Sequence, residues 1–127
     1  MIGILDTNVL VRFLVGDVPV QKLRAEKWFA EAEKGNLDIV VKELVVAEAI
    51  FVLESYYKKS RQDIAAAMEI FLSQRWLLVS EREVMLTALG FYRQKKHFVD
   101  SYLAAWSRTN HASVLTFDKK LQKLVSA

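Results

Sequence analysis

Apolar and polar positions along the chain change period several times, and those changes mark the elements. Four short runs are apolar or nearly so: residues 1–5, 37–41, 76–79 and 114–117. Their length and lack of regular polar alternation suit strands of a parallel sheet, and the first run reads as a strand buried on both faces. Between them the spacing is helical. Val9, Leu10, Phe13 and Leu14 open a first helix that ends at Gly16, and Pro19 stands at the first position of a second reaching about Lys34. Val20, Leu23, Trp28, Phe29 and Ala32 form its apolar face, and Gly35-Asn36 stops it. Residues 42–57 follow as the most apolar helix-length segment.

Ser60-Arg61-Gln62-Asp63 resembles a capping signature for a helix carrying Ile64, Ala67, Met68, Phe71 and Leu72. Ser80-Glu81-Arg82-Glu83 reads as a capping box for another that runs to about Lys96. Asp100 opens a helix with Tyr102, Leu103, Ala105 and Trp106 as apolar contacts, and residues 119–125 form a last short one. Strands alternating with helices predict an α/β fold with a short parallel sheet and right-handed crossovers. No repeat, linker or low-complexity run divides the chain, so residues 1–127 are expected to form one domain.

Composition narrows the setting. With 127 residues, 53% of them hydrophobic, the chain can bury a real core. A net charge of +3 permits a nucleic-acid partner without requiring one. The absence of cysteine removes a disulfide framework, a thiolate zinc site and a cysteine nucleophile, and fits an intracellular, cytoplasmic protein. Asp6 and Arg12 break any apolar targeting segment, and no stretch approaches the roughly 18 apolar residues of a membrane span.

Glu48 is the most informative charge, because every other residue from Leu44 to Leu53 is apolar. A carboxylate in such a run is expected to be buried and to need a cation, an arginine or a proton. Asp6 and Asp118 each follow an apolar run and precede a helix, so both belong at the C-terminal edge of a parallel sheet, where ligands bind. Each also suits an N-cap, as does Asp100. Thr116 places a hydroxyl near the same edge. Carboxylates that converge without a basic partner repel one another and call for a divalent cation, and all-oxygen ligands favour Mg²⁺ or Mn²⁺ over zinc.

Ile4-Leu5-Asp6-Thr7-Asn8, the helix around Val46-Ala47-Glu48-Ala49, Phe98-Val99-Asp100-Ser101-Tyr102 and Val114-Leu115-Thr116-Phe117-Asp118 together resemble the four motifs of PIN-domain ribonucleases, most closely the VapC-type toxins. The resemblance covers the whole chain in the right order. It implies a three-layer α/β/α fold with a central short parallel sheet. Four acids (Asp6, Glu48, Asp100 and Asp118) would hold one or two Mg²⁺ or Mn²⁺ ions, with Asn8 and Thr116 as polar support. It also implies hydrolysis of RNA, a homodimer, and a small antitoxin protein whose C-terminal segment covers the site. The chain departs from the pattern at Asn110-His111-Ala112, where a glycine is common. Glu43 and Glu54 flank Glu48 but lie outside the apolar run.

Lys95 and Lys96 before Asp100, and Lys119 after Asp118, are the expected phosphate contacts. Tyr92, Phe98 and Tyr102 can stack bases, although at least two of them are expected in the core. A surplus of apolar helix over what one small sheet covers points to dimerisation, with Arg24, Trp28 and the 65–71 face as candidate surfaces. Three rivals remain. A metal-free ribonuclease would rest on His97 and His111, and a phosphatase on Asp6, although Asn8 stands where a second acid belongs. A PIN-like scaffold that only binds RNA or protein is the third.

Overall fold

A computed structural model describes residues 1–126, which fall into two units, Met1–Ser80 and a second from Glu81 onward. Among the described residues the fold is α/β, with seven helices and one three-stranded parallel sheet.

In the first unit the elements run β1 (Ile2–Ile4), α1 (Thr7–Val15), α2 (Pro19–Glu33), β2 (Asp38–Val41), α3 (Glu43–Ser55), α4 (Arg61–Leu72) and β3 (Leu77–Val79). Each crossover contains two helices, so strand order in space equals order in sequence, β1-β2-β3. The register sets Ile4 beside Val40 and Val41 beside Val79, so the three strands end at one edge. Leu10 and Val11 of α1, Phe29 of α2, Ile50 of α3, and Met68 and Leu72 of α4 are buried with Ile39, Val41 and Leu77 of the sheet. An aromatic group ties α1, α2 and α4 together. Phe29 meets Phe13 edge-on at 4.8 Å and Phe71 at 5.5 Å between centroids, geometries that favour contact of ring edge with ring face.

Local signals are obeyed where backbone geometry decides. Gly16 ends α1 in the left-handed region (φ 74°), its N–H donating to Arg12 O. Pro19 is the first residue of α2. Ser60 Oγ accepts from Asp63 N at 3.1 Å and caps α4.

Signals that depend on which face is covered fare differently. Strand β1 lies at an edge of the sheet and leaves Ile2 and Ile4 exposed, not buried on both faces. Helix α2 buries Ala25, Phe29 and Ala32, while Val20, Leu23 and Trp28 stay exposed; the small residue at 25 permits closer packing than a bulky stripe would. The 65–71 face expected at a dimer surface is core instead, with Ala65, Met68 and Phe71 buried.

The second unit contains α5 (Arg82–Arg93), α6 (Phe98–Asn110) and α7 (Lys119–Ser126). Helices α5 and α6 pack on each other around Met85, Leu89, Tyr92 and Ala105, and α7 adds Leu121. The capping box does not form. Glu81 sits at the N-cap of α5 with φ 53° and makes no side-chain cap bond. Its carboxylate accepts instead from the Tyr102 hydroxyl and, at 3.1 Å, from Trp106 Nε1. The strand expected at 114–117 is absent as well. Among the described residues of this unit no strand is available to pair with it, and Thr116 O is served locally, accepting from Gln122 Nε2 at 2.9 Å.

Candidate functional site

Asp6 is placed by the change from strand to helix. It follows Leu5 at the C-terminal end of β1, with extended backbone (φ −87°, ψ 146°) at the N-cap of α1. Its carbonyl receives Val9 N at 3.1 Å and Leu10 N at 3.3 Å, yet its carboxylate makes no cap bond. The backbone therefore does the capping and the exposed carboxylate is left for other partners.

A cavity of about 220 Å³ opens beside it, lined by Asp6, Asn8, Arg12, Gln21, Arg24 and Trp28 among others. Arg12 is fixed within this wall. Its Nε donates to Gln21 Oε1 at 3.0 Å, and its Nη1 donates to both Asp17 oxygens (3.2 and 3.0 Å) and to the Tyr57 hydroxyl at 2.5 Å. The Tyr57 hydroxyl in turn donates to Asp17 at 2.8 Å. That bond chiefly holds the Asp17 carboxyl below its ordinary value, with Arg12 adding to it against the opposing effect of burial. The same bond pushes the Tyr57 hydroxyl up.

Glu48 departs from expectation. It is exposed, because α3 buries the stripe Val46, Ala49, Ile50 and Leu53 and leaves Leu44, Glu48 and Phe51 open. An apolar run does not by itself bury a charge within it; the side of the helix that meets the core does. Burial therefore creates no need for a cation at Glu48. Helices α1 and α3 are packed neighbours, but Glu48 does not line the Asp6 cavity.

In the second unit Asp100 lies half-exposed in the first turn of α6. Asp118 is the N-cap of α7: its Oδ1 accepts from Lys120 N at 2.8 Å and Leu121 N at 3.2 Å. Thr116 Oγ1 accepts from Asp118 N at 3.0 Å and sets the turn that presents this carboxylate. Asn8 is exposed in the first turn of α1. Lys95 (φ 67°) and Lys119 are exposed, whereas Lys96 is half-buried. Tyr92 and Phe98 belong to the core, as at least two of the three aromatics were expected to, and Tyr102 is held by Glu81. His97 and His111 are exposed at the two ends of α6. Among the described residues, neither unit gathers three or more His, Cys, Asp or Glu side chains close enough to hold an ion.

Glu43 is one of the two flanking acids that sequence reasoning set aside. It follows β2 by two positions, and its Oε2 is buried with no hydrogen-bond partner among the described residues. Its own backbone N–H, then the Ser80 hydroxyl and Lys42, hold its carboxyl below the ordinary value although burial opposes them. Lys42 Nζ reaches Ser80 Oγ at 3.4 Å. The signal was its place just past a strand end, the same place Asp6 occupies.

These features have a family context. The PIN domain model matches residues 3–126, and the chain belongs to that family. Among curated proteins it is similar to a VapC ribonuclease of Aquifex aeolicus (strain VF5), with 27% identity over 124 residues that cover 95% of this chain and 90% of the relative. No solved structure gives a significant match.

Proposed function

We propose that this chain is a metal-dependent endoribonuclease, the toxin of a type II toxin–antitoxin pair that acts on RNA in the cytoplasm and inhibits translation. One observation carries the reading: the family match spans residues 3–126, and Asp6, Glu48, Asp100 and Asp118 occur within it in the order of the family's four acidic motifs. The same span supports treating both units as parts of one PIN-like domain.

The donor set fits a hard divalent ion. It is all oxygen, no cysteine competes, and the Asp6 carboxylate is not consumed by its own helix. Mg²⁺ is commonly held by only one or two carboxylates together with waters and substrate phosphates, so it does not require a closed cage of protein ligands. When bound, Mg²⁺ or Mn²⁺ would lower the pKa of the attacking water and offset charge growing on the phosphodiester. Asp6, Glu48, Asp100 and Asp118 are assigned as its ligands, with Asn8 and Thr116 orienting the first and last of them. Lys95, Lys96 and Lys119 neutralise RNA phosphates. Attack of water at phosphorus with departure of the 3′-oxygen leaves a 5′-phosphate and a 3′-hydroxyl. A homodimer and a cognate antitoxin complete the reading. No helix among the described residues is long and apolar enough to cross a membrane.

Chelation tests the chemistry. RNA cutting should require added Mg²⁺ or Mn²⁺, stop in excess EDTA, and produce 5′-phosphate ends. Activity that survives EDTA, or cyclic phosphate ends, would return the histidine mechanism.

A further inference from the structure

The cavity beside Asp6 has a chemistry that ion binding does not use. Arg24 and Trp28 stand four residues apart on α2, a spacing that puts both on one face of the helix. The Arg24 guanidinium lies over the Trp28 ring at 5.4 Å from its centroid and makes no ion pair among the described residues. The indole is 41% exposed, and both side chains line the same cavity as Asp6. Arg12, on the opposite helix of this wall, has its charge largely met by Asp17. Arg24 is thus the cation left to serve a ligand.

We infer that this cavity is a nucleotide subsite for single-stranded RNA, taking the residue next to the phosphate that is cut. The base stacks against Trp28 and the Arg24 guanidinium plane, and Arg24 also meets a neighbouring backbone phosphate. An aromatic ring beside an arginine is how unpaired bases are commonly held, because every base has a π-face and every linkage a negative charge. The volume of about 220 Å³ lies below the roughly 300–1,000 Å³ of pockets for drug-sized ligands, which limits the occupant to a small group such as a single base, with sugar and phosphate at the open mouth. The inference rests on the proposed ribonuclease activity, since it assigns Asp6 to the cut phosphate.

The test is steady-state cleavage of a single-stranded RNA oligonucleotide by wild type and by Trp28→Ala, Trp28→Phe and Arg24→Ala, with sedimentation of each. Trp28→Ala should raise KM about tenfold, inside the roughly five- to hundredfold range expected for one lost stacked base, and change kcat less than twofold. Trp28→Phe should recover most of the loss. Arg24→Ala should raise KM and reduce the slope of log KM against log salt by about one phosphate contact. Wild type that cuts RNA, with Trp28→Ala unchanged in KM, overturns the subsite alone. Wild type that neither cuts nor binds RNA overturns the subsite and the ribonuclease reading together. If Trp28→Ala instead converts a dimer to a monomer, the face belongs to a second copy of the chain and the subsite is overturned.

Discussion

The Tyr57 hydroxyl donates to Asp17 Oδ2 at 2.8 Å across 40 residues of sequence, and this bond holds in place the carboxylate that grips Arg12. Tyr57 lies just beyond α3 and Asp17 in the turn between α1 and α2, so one hydroxyl ties two crossovers of the first unit together. Arg12 in turn forms part of the cavity wall beside Asp6. Fold stability and the shape of the candidate site therefore share a network.

That network carries a pH signature with two signs. The Asp17 carboxyl is held below its ordinary 3.8, so its contribution is present above that value and is lost as pH falls through the lowered one. The Tyr57 hydroxyl is held above its ordinary 10.0, so its contribution is present below that value and is lost as pH rises through the raised one. Tyr57→Phe should lower Tm by a few degrees at neutral pH. Its difference from wild type, measured by urea unfolding, should narrow toward both extremes. A difference that stays constant from acid to alkali would show that the bond contributes nothing.

Gly16 offers a purely conformational test. Its φ of 74° disfavours any residue with a Cβ, and a Cβ there would also meet Lys22 Cδ at 3.1 Å. The lysine end is flexible and can give way, so the backbone effect dominates. Gly16→Ala should destabilise by about 1 kcal/mol, measured by denaturant unfolding. No loss would mean that the left-handed cap of α1 is not required.

Much of the architecture was legible because it rests on local geometry. Gly16, Pro19 and Ser60 act within a few residues of themselves, and each performs as its residue type demands. What escaped depends on distant partners. The Arg12–Tyr57 contact spans 45 residues, and no period in the chain announces it. Nor does an apolar helix such as α3 disclose which stripe meets the core, which is why Glu48 read as buried and stands exposed. Residues 114–117 have strand composition, but a strand exists only where a neighbour completes its ladder. Of the candidate site, the strand-end position of Asp6 and the capping role of Asp118 were readable; the cavity with Arg24 and Trp28 was not. The sequence placed Trp28 on the apolar face of its helix and both residues at a candidate dimer surface, and only the packing of α1 against α2 puts them beside Asp6.

Asp118 has two separable duties. Asparagine preserves an oxygen for Lys120 N and Leu121 N, whereas alanine removes it. Asp118→Ala should cost about 0.5–2 kcal/mol of stability, and Asp118→Asn much less. Under the proposed function both should lose RNA cleavage by at least about a hundredfold, in line with loss of a metal-held charge at the reacting phosphate. Cleavage by Asp118→Asn at the wild-type rate would leave this residue a cap and nothing more.

The most direct measurement compares wild type with Asp6→Asn on total RNA in Mg²⁺ or Mn²⁺, with circular dichroism and Tm recorded on the same preparations. The Asp6 carboxylate makes no cap bond, so the amide should leave spectrum and Tm unchanged. Cleavage should vanish while the fold remains. Equal cutting by both proteins would contradict the assignment of Asp6 to a metal site, and with it the account of what this chain does.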